Sequence, residues 1–188
     1  MHTIARFIES DPEFEIVVTL PETEQGRWNE LCCVHDFRIR HKLVVGGNSR
    51  EESVRNGLEF CTGDLIGIHD GVRPFVDRDV IRHCFESAEK YGSGVPVISV
   101  DQSLRRIIDN TSEVRNRDDF RLVQTPQVFK ADIVKKAYSG DVKEGFTDDA
   151  GLVQASGFEI HLVDGNRENI KITTPFDLKI ANLLVLSA

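Results

Sequence analysis

The chain has 188 residues, of which 40% are hydrophobic, and its 23 basic and 31 acidic side chains give a formal net charge of −8. This composition suffices for one globular domain over residues 1–188, and the negative charge excludes a broad nucleic-acid-binding surface, since phosphate backbones are bound by clustered Lys and Arg. The four cysteines lack zinc-site spacing and disulfide density, and no apolar run could cross a bilayer, so we expect a soluble cytoplasmic protein that binds no membrane.

Short apolar runs alternate with amphipathic segments, a pattern typical of the α/β class, with a mostly parallel sheet flanked by helices. The predicted strands cover residues 16–20, 42–45, 65–69, 94–100, 121–123, 159–163 and 169–172. Helices are expected after Ser49, which forms a capping box with Glu52, and after Asp77. The last helix is expected to open at Pro175, because the first helical turn tolerates proline.

The segment 101–119 departs from this pattern because it is rich in charge and has no convincing apolar face. Its arginines are Arg105, Arg106, Arg115 and Arg117. A projecting arm or a loop is therefore expected. A solvated excursion without function fits the charge about equally well.

The most informative segment runs from residue 66 to residue 74, where a buried strand leads into Asp70, Gly71 and Arg73. In open α/β sheets, ligands bind outside the carboxyl ends of the strands. Asp70 is thus placed to hold Mg²⁺ or a ligand hydroxyl, and Gly71 allows close backbone approach. An ordinary Asp-stabilised turn is the alternative. We interpret His69 as a core or supporting residue rather than a catalyst.

Other strand ends carry further polar groups. The N–H groups of Gly46-Gly47 could receive a base or an anion, although a turn that only reverses the chain explains these two residues better by themselves. Thr125, Thr147 and Lys171 are expected at the same sheet edge. Lys171 lies in an alternating run, so it either points to water or meets a substrate phosphate.

Four segments, in order, resemble the 2-C-methyl-D-erythritol 4-phosphate cytidylyltransferases: residues 69–74 (HDGVRP), 124–127 (QTPQ), 146–150 (FTDDA) and 169–178 (NIKITTPFDL). The resemblance implies a Rossmann-like nucleotidyltransferase fold, Mg²⁺ as cofactor and a homodimer formed through the arm at 101–119. It implies transfer of CMP from CTP to 2-C-methyl-D-erythritol 4-phosphate, with release of pyrophosphate, in isoprenoid precursor biosynthesis. The alternatives are a ribitol-5-phosphate cytidylyltransferase and a noncatalytic paralogue that acts as a binding module.

The resemblance also implies roles for individual residues. Cytosine and ribose would be held by Gly46, Gly47 and Ser53, while Asp70 and Gly71 would lie beside the nucleotide, with Asp70 as metal ligand. The alcohol phosphate would be surrounded by Arg73, Thr125, Thr147 and Lys171, of which Arg73 and Lys171 act with Asp70 as catalytic residues. Ser103 and Arg117 match arm positions that reach the partner subunit's site. No nucleophilic side chain is needed, because such catalysis rests on positioning and charge neutralisation.

The family opens with a strand, a glycine-rich turn carrying an arginine, and a Pro-Lys-Gln segment. This sequence resembles the family from the helix that follows them. We therefore expect an N-terminally truncated chain that turns over CTP very slowly or not at all.

Overall fold

The computed structural model describes residues 1–140 and 145–186. The helices are α1 (His2–Ser10), α2 (Glu22–Val34), α3 (Arg50–Leu58), α4 (Arg78–Tyr91), α5 (Ala131–Ser139), α6 (Asp149–Ala155) and α7 (Pro175–Leu186). The strands are β1 (Val17–Leu20), β2 (Lys42–Val45), β3 (Leu65–Ile68), β4 (Ser93–Ser99), β5 (Leu104–Ile108), β6 (Thr111–Arg115), β7 (Arg121–Val123), β8 (Gln127–Lys130) and β9 (Leu162–Asp164). Among these helices, none is long and apolar enough to span a bilayer.

The strands of the described residues form three sheets. A small parallel sheet pairs β1 with β2, from Val17 opposite Lys42 to Leu20 opposite Val45. In the largest sheet the order is β3-β8-β4-β7, and β9 pairs with β4 in parallel. The contacts of β8 with β3 and β4, and of β7 with β4, are antiparallel. The α/β class is confirmed, but the pairing is mixed rather than mostly parallel, because β7 and β8 run against β4.

Helix α4 packs on the large sheet through the apolar face that its sequence predicts. Val80, Ile81, Cys84 and Ala88 are buried. A Cβ at Gly94 of β4 would lie 2.1 Å from the Cys84 carbonyl oxygen, so glycine is required for this close approach. On the other side, a core centred on Phe129 and Val134 joins β8 to α5 and α6. This packing fixes the loops that leave β3 and β8.

The predicted strand at 169–172 is wrong. The Ile172 N–H donates to the Val72 carbonyl at 3.0 Å, and the Asn169 N–H donates to the Asn166 carbonyl at 3.2 Å. The backbone hydrogen bonds of this segment therefore go to loops instead of a strand ladder. The strand predicted at 159–163 is present, but it begins later and spans Leu162–Asp164.

The segment 101–119 contains the hairpin β5–β6, which closes through the two-residue turn Asp109-Asn110. Asp109 has a φ of 49°, in the left-handed region that Asp tolerates better than most residues. Ile107 is 72% exposed and Val114 is 73% exposed. The register places both on one face of the hairpin, because Val114 is opposite Arg105.

Candidate active site

Asp70 follows β3 and binds two cations through one of its oxygens. Arg73 Nε donates to Asp70 Oδ2 at 3.1 Å, and Lys171 Nζ lies 3.2 Å from the same oxygen. Arg73 also donates from Nη1 to the Asn169 carbonyl at 2.8 Å, which fixes its guanidinium. Three residues that the sequence assigns to catalysis, Asp70, Arg73 and Lys171, therefore meet at one point.

The charge state of Asp70 follows from these contacts. Burial by itself would raise its pKa, but hydrogen bonds from Arg73 and Lys171, with the attraction of Lys171 and Arg50, outweigh that effect and lower the pKa below its ordinary value. Asp70 is thus a carboxylate at neutral pH. Its side chain is only 12% exposed, so the cations act on it with little screening by water.

Thr125 and His69 support the backbone of the Asp70 turn. The Thr125 hydroxyl accepts the Asp70 N–H at 3.1 Å and lies 3.1 Å from His69 Nδ1. His69 Nε2 lies 3.0 Å from the Arg73 carbonyl, an acceptor, so this nitrogen carries the proton and Nδ1 accepts from Thr125. Burial lowers the pKa of His69 to about 4, which keeps the ring neutral. The expectation that His69 is a supporting residue agrees with these contacts.

The turn of Gly46 and Gly47 is held by the first turn of α3. Gly47 N–H donates to Ser53 Oγ at 3.1 Å, while the Ser53 hydroxyl donates to the Ser49 carbonyl at 2.8 Å. Ser49 Oγ accepts the Glu52 N–H at 3.1 Å, which confirms the predicted N-cap. The Ser53 hydroxyl is thus occupied in shaping the turn.

Arg50 connects this turn with the Asp70 cluster. Its Nη1 donates to Asp149 Oδ1 at 2.9 Å, and its Nη2 donates to Asp149 Oδ2 at 2.6 Å. The remaining nitrogen, Nε, lies 3.8 Å from Asp70 Oδ1. The hydrogen bond with Asp149 raises the pKa of Arg50, so the guanidinium stays charged.

The other predicted site residues lie further from the cluster. Thr147 is exposed, one residue before Asp148, the N-cap of α6. Ser103 is exposed just before β5, and Arg117 Nη1 donates to the Asp101 carbonyl at 2.6 Å. In the described part of the chain, no hydrogen bond or ion pair joins these three residues to Asp70.

A divalent cation fits this site only with ligands from the substrate. The described residues contain no group of three or more His, Cys, Asp or Glu side chains that could hold a metal. Within those residues, Asp70 Oδ1 accepts no hydrogen bond, and Asp70 Oδ2 is taken by Arg73 and Lys171. One carboxylate oxygen with phosphates and water is a usual environment for Mg²⁺, which favours oxygen ligands and seldom uses all-protein cages.

A glycine turn precedes a helix N-terminus, and a carboxylate after β3 binds the half-exposed Lys171 and the more buried Arg73. This combination in an α/β fold is typical of a nucleotidyltransferase. Comparisons with known proteins agree with this class. The model of the 2-C-methyl-D-erythritol 4-phosphate cytidylyltransferase family matches residues 1–187. The chain belongs to that family.

Curated relatives and solved structures place the chain in the same group. A protein of Phocaeicola vulgatus named 2-C-methyl-D-erythritol 4-phosphate cytidylyltransferase is 47% identical over 186 residues, which cover 98% of this chain and 85% of the relative. One of the same name from Porphyromonas gingivalis is 41% identical, covering 100% and 84%. The crystal structure of the Thermus thermophilus enzyme of that name has a TM-score of 0.84 at 31% identity, covering 98% of this chain and 89% of that chain.

Sequence reasoning assigned no role to Arg50, Tyr138 or Asp149. Arg50 follows the N-cap Ser49, three residues after Gly47, and Asp149 lies in the segment 146–150 that resembles the family. No local signal marks Asp149, since an acidic residue in the first turn of a helix is ordinarily solvated and favoured by the helix dipole. Its partner Arg50 lies 99 residues away in the chain, and the sequence alone does not pair them.

Proposed function

We propose that this protein transfers CMP from CTP to 2-C-methyl-D-erythritol 4-phosphate, giving CDP-methylerythritol and pyrophosphate for isoprenoid precursor biosynthesis. The observation that carries this proposal is the meeting of Arg73 and Lys171 at Asp70, beside the Gly46-Gly47 turn, in a chain of this family. Two neighbouring cations supply what the reaction requires, because the attack brings two anions together.

Lys171 and Arg73 bind the acceptor phosphate in this proposal. Lys171 is 44% exposed, so its ammonium can leave Asp70 for an incoming phosphate at little cost. Arg73 is held by Asp70 and Asn169 and forms a fixed wall of the site. An acceptor phosphate oxygen forms a bond to the α-phosphorus of CTP while the bond to pyrophosphate breaks. Thr147 would complete the acceptor side, and the buried Thr125 would support it through the Asp70 turn.

The nucleotide packs against the backbone of Gly46, Gly47 and Gly71 in this proposal, with Ser53 keeping the turn in shape. The expected donation by the two glycine N–H groups is wrong, because Gly46 N–H donates to the Leu20 carbonyl at 2.8 Å and Gly47 N–H donates to Ser53 Oγ. Gly71 has no atom within 4 Å of where a Cβ would stand, so ligand atoms can approach its backbone. Mg²⁺ would be held by Asp70 Oδ1 together with phosphate oxygens, and when bound it would neutralise charge on the triphosphate.

We also propose a homodimer formed through hairpin β5–β6. Ile107 and Val114, each more than 70% exposed, lie on one face of the hairpin, where a second subunit would bury them. Ser103 and Arg117, at the base of the hairpin, would reach the site of the other subunit. Arg117→Ala should then weaken affinity for the alcohol phosphate more than affinity for CTP.

The test is pyrophosphate release from CTP with methylerythritol phosphate, with ribitol 5-phosphate and without acceptor, together with calorimetric binding of CDP-methylerythritol. We expect slow release that requires methylerythritol phosphate, and Lys171→Ala to weaken product binding while Lys179→Ala, at an exposed position of α7, does not. Preference for ribitol 5-phosphate would replace the proposed acceptor. If the protein neither releases pyrophosphate from CTP nor binds CDP-methylerythritol, the proposal is overturned.

A further inference from the structure

Asp149 is a fully buried carboxylate whose partners satisfy both of its oxygens. Its relative exposure is 0%, and its oxygens accept two hydrogen bonds from Arg50. The Tyr138 hydroxyl adds a third, to Oδ1 at 2.5 Å. Burial, followed by the negative charge of Asp149, raises the pKa of Tyr138, so its hydroxyl remains a donor. A buried carboxylate is costly without such partners.

The guanidinium of Arg50 faces two carboxylates at once. Its two terminal nitrogens are held by Asp149, so the planar group fixes the position of Nε, which lies 3.8 Å from Asp70 Oδ1. Arg50 is also the first residue of α3, directly after the cap of the Gly46-Gly47 turn. One side chain thus links the nucleotide turn, the Asp70 turn and the start of α6.

This link acts on the oxygen of Asp70 that has no hydrogen bond from the described residues. Arg73 and Lys171 both contact Oδ2, which leaves Oδ1 to face Arg50. A cation at 3.8 Å attracts the carboxylate without donating a hydrogen bond to it, so Oδ1 keeps its lone pairs for a ligand. A shift of Arg50 would therefore turn the carboxylate and move the nucleotide turn together.

We propose that Asp149, supported by Tyr138, is a positioning residue that orients Arg50, and that Arg50 sets the position of Asp70 Oδ1 relative to the Gly46-Gly47 turn. This inference rests on the proposed function, because it assigns the pair to the nucleotide and metal side of that reaction. Asp149 itself contacts no substrate. Arg50→Lys retains the charge but cannot form two parallel hydrogen bonds with one carboxylate, so it should fail as a replacement.

The variants are Asp149→Asn, Arg50→Lys and Tyr138→Phe, with Asp79→Asn as the matched control. Asp79 pairs with Arg82 on the exposed surface of α4, so the control removes the same charge away from the site. Affinity for Mn²⁺ is measured by electron paramagnetic resonance in the presence of CTP. Removing a group that orients a metal ligand typically weakens metal binding by about 10–100-fold. We expect this range for Asp149→Asn and Arg50→Lys, and a smaller loss for Tyr138→Phe.

Kinetic constants separate positioning from general damage. We expect a raised KM for CTP and a raised half-saturating Mg²⁺ concentration, with the KM for the alcohol phosphate changed by less than about twofold. The amide NMR signals of Gly47 and Gly71 report the two turns without substrate, and both should shift in Arg50→Lys but not in Asp79→Asn. If Asp149→Asn does not fold, Arg50→Lys and Tyr138→Phe decide the question.

The outcomes distinguish the two proposals. If the parent protein neither releases pyrophosphate nor binds CDP-methylerythritol, the proposed function fails, while joint shifts of the Gly47 and Gly71 amides would still support the positioning role. If the folded variants shift neither amide, and Mn²⁺ affinity with CTP equals that of the control, the positioning role is refuted whatever the parent catalyses.

Discussion

Replacing Gly47 with alanine tests how closely the Gly46-Gly47 turn packs on α3. An added Cβ would lie 2.2 Å from the Glu52 Cβ and 3.1 Å from the Glu52 carbonyl carbon, whereas carbon atoms prefer about 3.5–4.0 Å. Since Glu52 is fixed at the first turn of the helix, the helix start has to move. Such overpacking costs about 1–3 kcal/mol, and we expect the free energy of unfolding to fall by that amount.

Gly71→Ala is the matched control, because an added Cβ at that position meets nothing within 4 Å. Its free energy of unfolding should stay within about 0.5 kcal/mol of the parent value. Urea unfolding followed by circular dichroism gives both values, and calorimetry gives the affinity for CMP. We expect Gly71→Ala to lose CMP affinity at unchanged stability. Equal stability of Gly47→Ala and the parent would refute the close packing of the turn.

Three further predictions concern the site, the core and the hairpin. Lys171→Ala should lower the rate of pyrophosphate release by about 10²–10³ and stability by less than about 1 kcal/mol, as comparison of kinetics with thermal unfolding would check. Burial raises the pKa of Cys84 to about 12, so between pH 9 and 11 the thiol is deprotonated in the unfolded chain but stays protonated in the folded chain. The free energy of unfolding should therefore fall by about 1.4 kcal/mol per pH unit more steeply than that of Cys84→Ala. Equal slopes for the parent and Cys84→Ala would contradict this. Replacing Ile107 and Val114 by serine should weaken the proposed dimer at least about tenfold in sedimentation, and an unchanged dimer would place the interface elsewhere.

The fold was most predictable where a local pattern agrees with the tertiary packing. The apolar face of α4 and the N-cap at Ser49 are local signals, and both are present in the structure. The expected capping box is only half formed, because Glu52 accepts from the Asn48 N–H at 2.6 Å instead of from the Ser49 N–H. The error at 169–172 has a tertiary cause. The Asn169 side-chain amide donates to the Thr125 carbonyl at 2.8 Å, and the Asn169 backbone carbonyl accepts a hydrogen bond from Arg73. The segment therefore hydrogen-bonds with loops and does not join a sheet.

For the candidate site, sequence identified the groups at strand ends but not the contacts between them. Asp70 and Arg73 are three residues apart in one turn, and their meeting could be expected from spacing. Lys171 reaches the same carboxylate from a segment that was predicted to be a strand. The pair of Arg50 and Asp149 could not be predicted, because it depends on how α3 and α6 pack.

The small sheet of β1 and β2 should unfold locally before the large sheet does. Helix α2 and strand β1 contain no buried residue, and Val44 is the only buried residue of β2. With so little apolar area removed from water, this part of the chain should exchange its amide hydrogens well before β4 and β8 do. The Gly46-Gly47 turn leaves β2 directly, so a nucleotide bound as proposed, from this turn to Asp70, would require β1 and β2 to be paired. Part of the binding free energy would then stabilise the pairing of β1 with β2. Slower amide exchange in these two strands would be the first sign of a bound nucleotide.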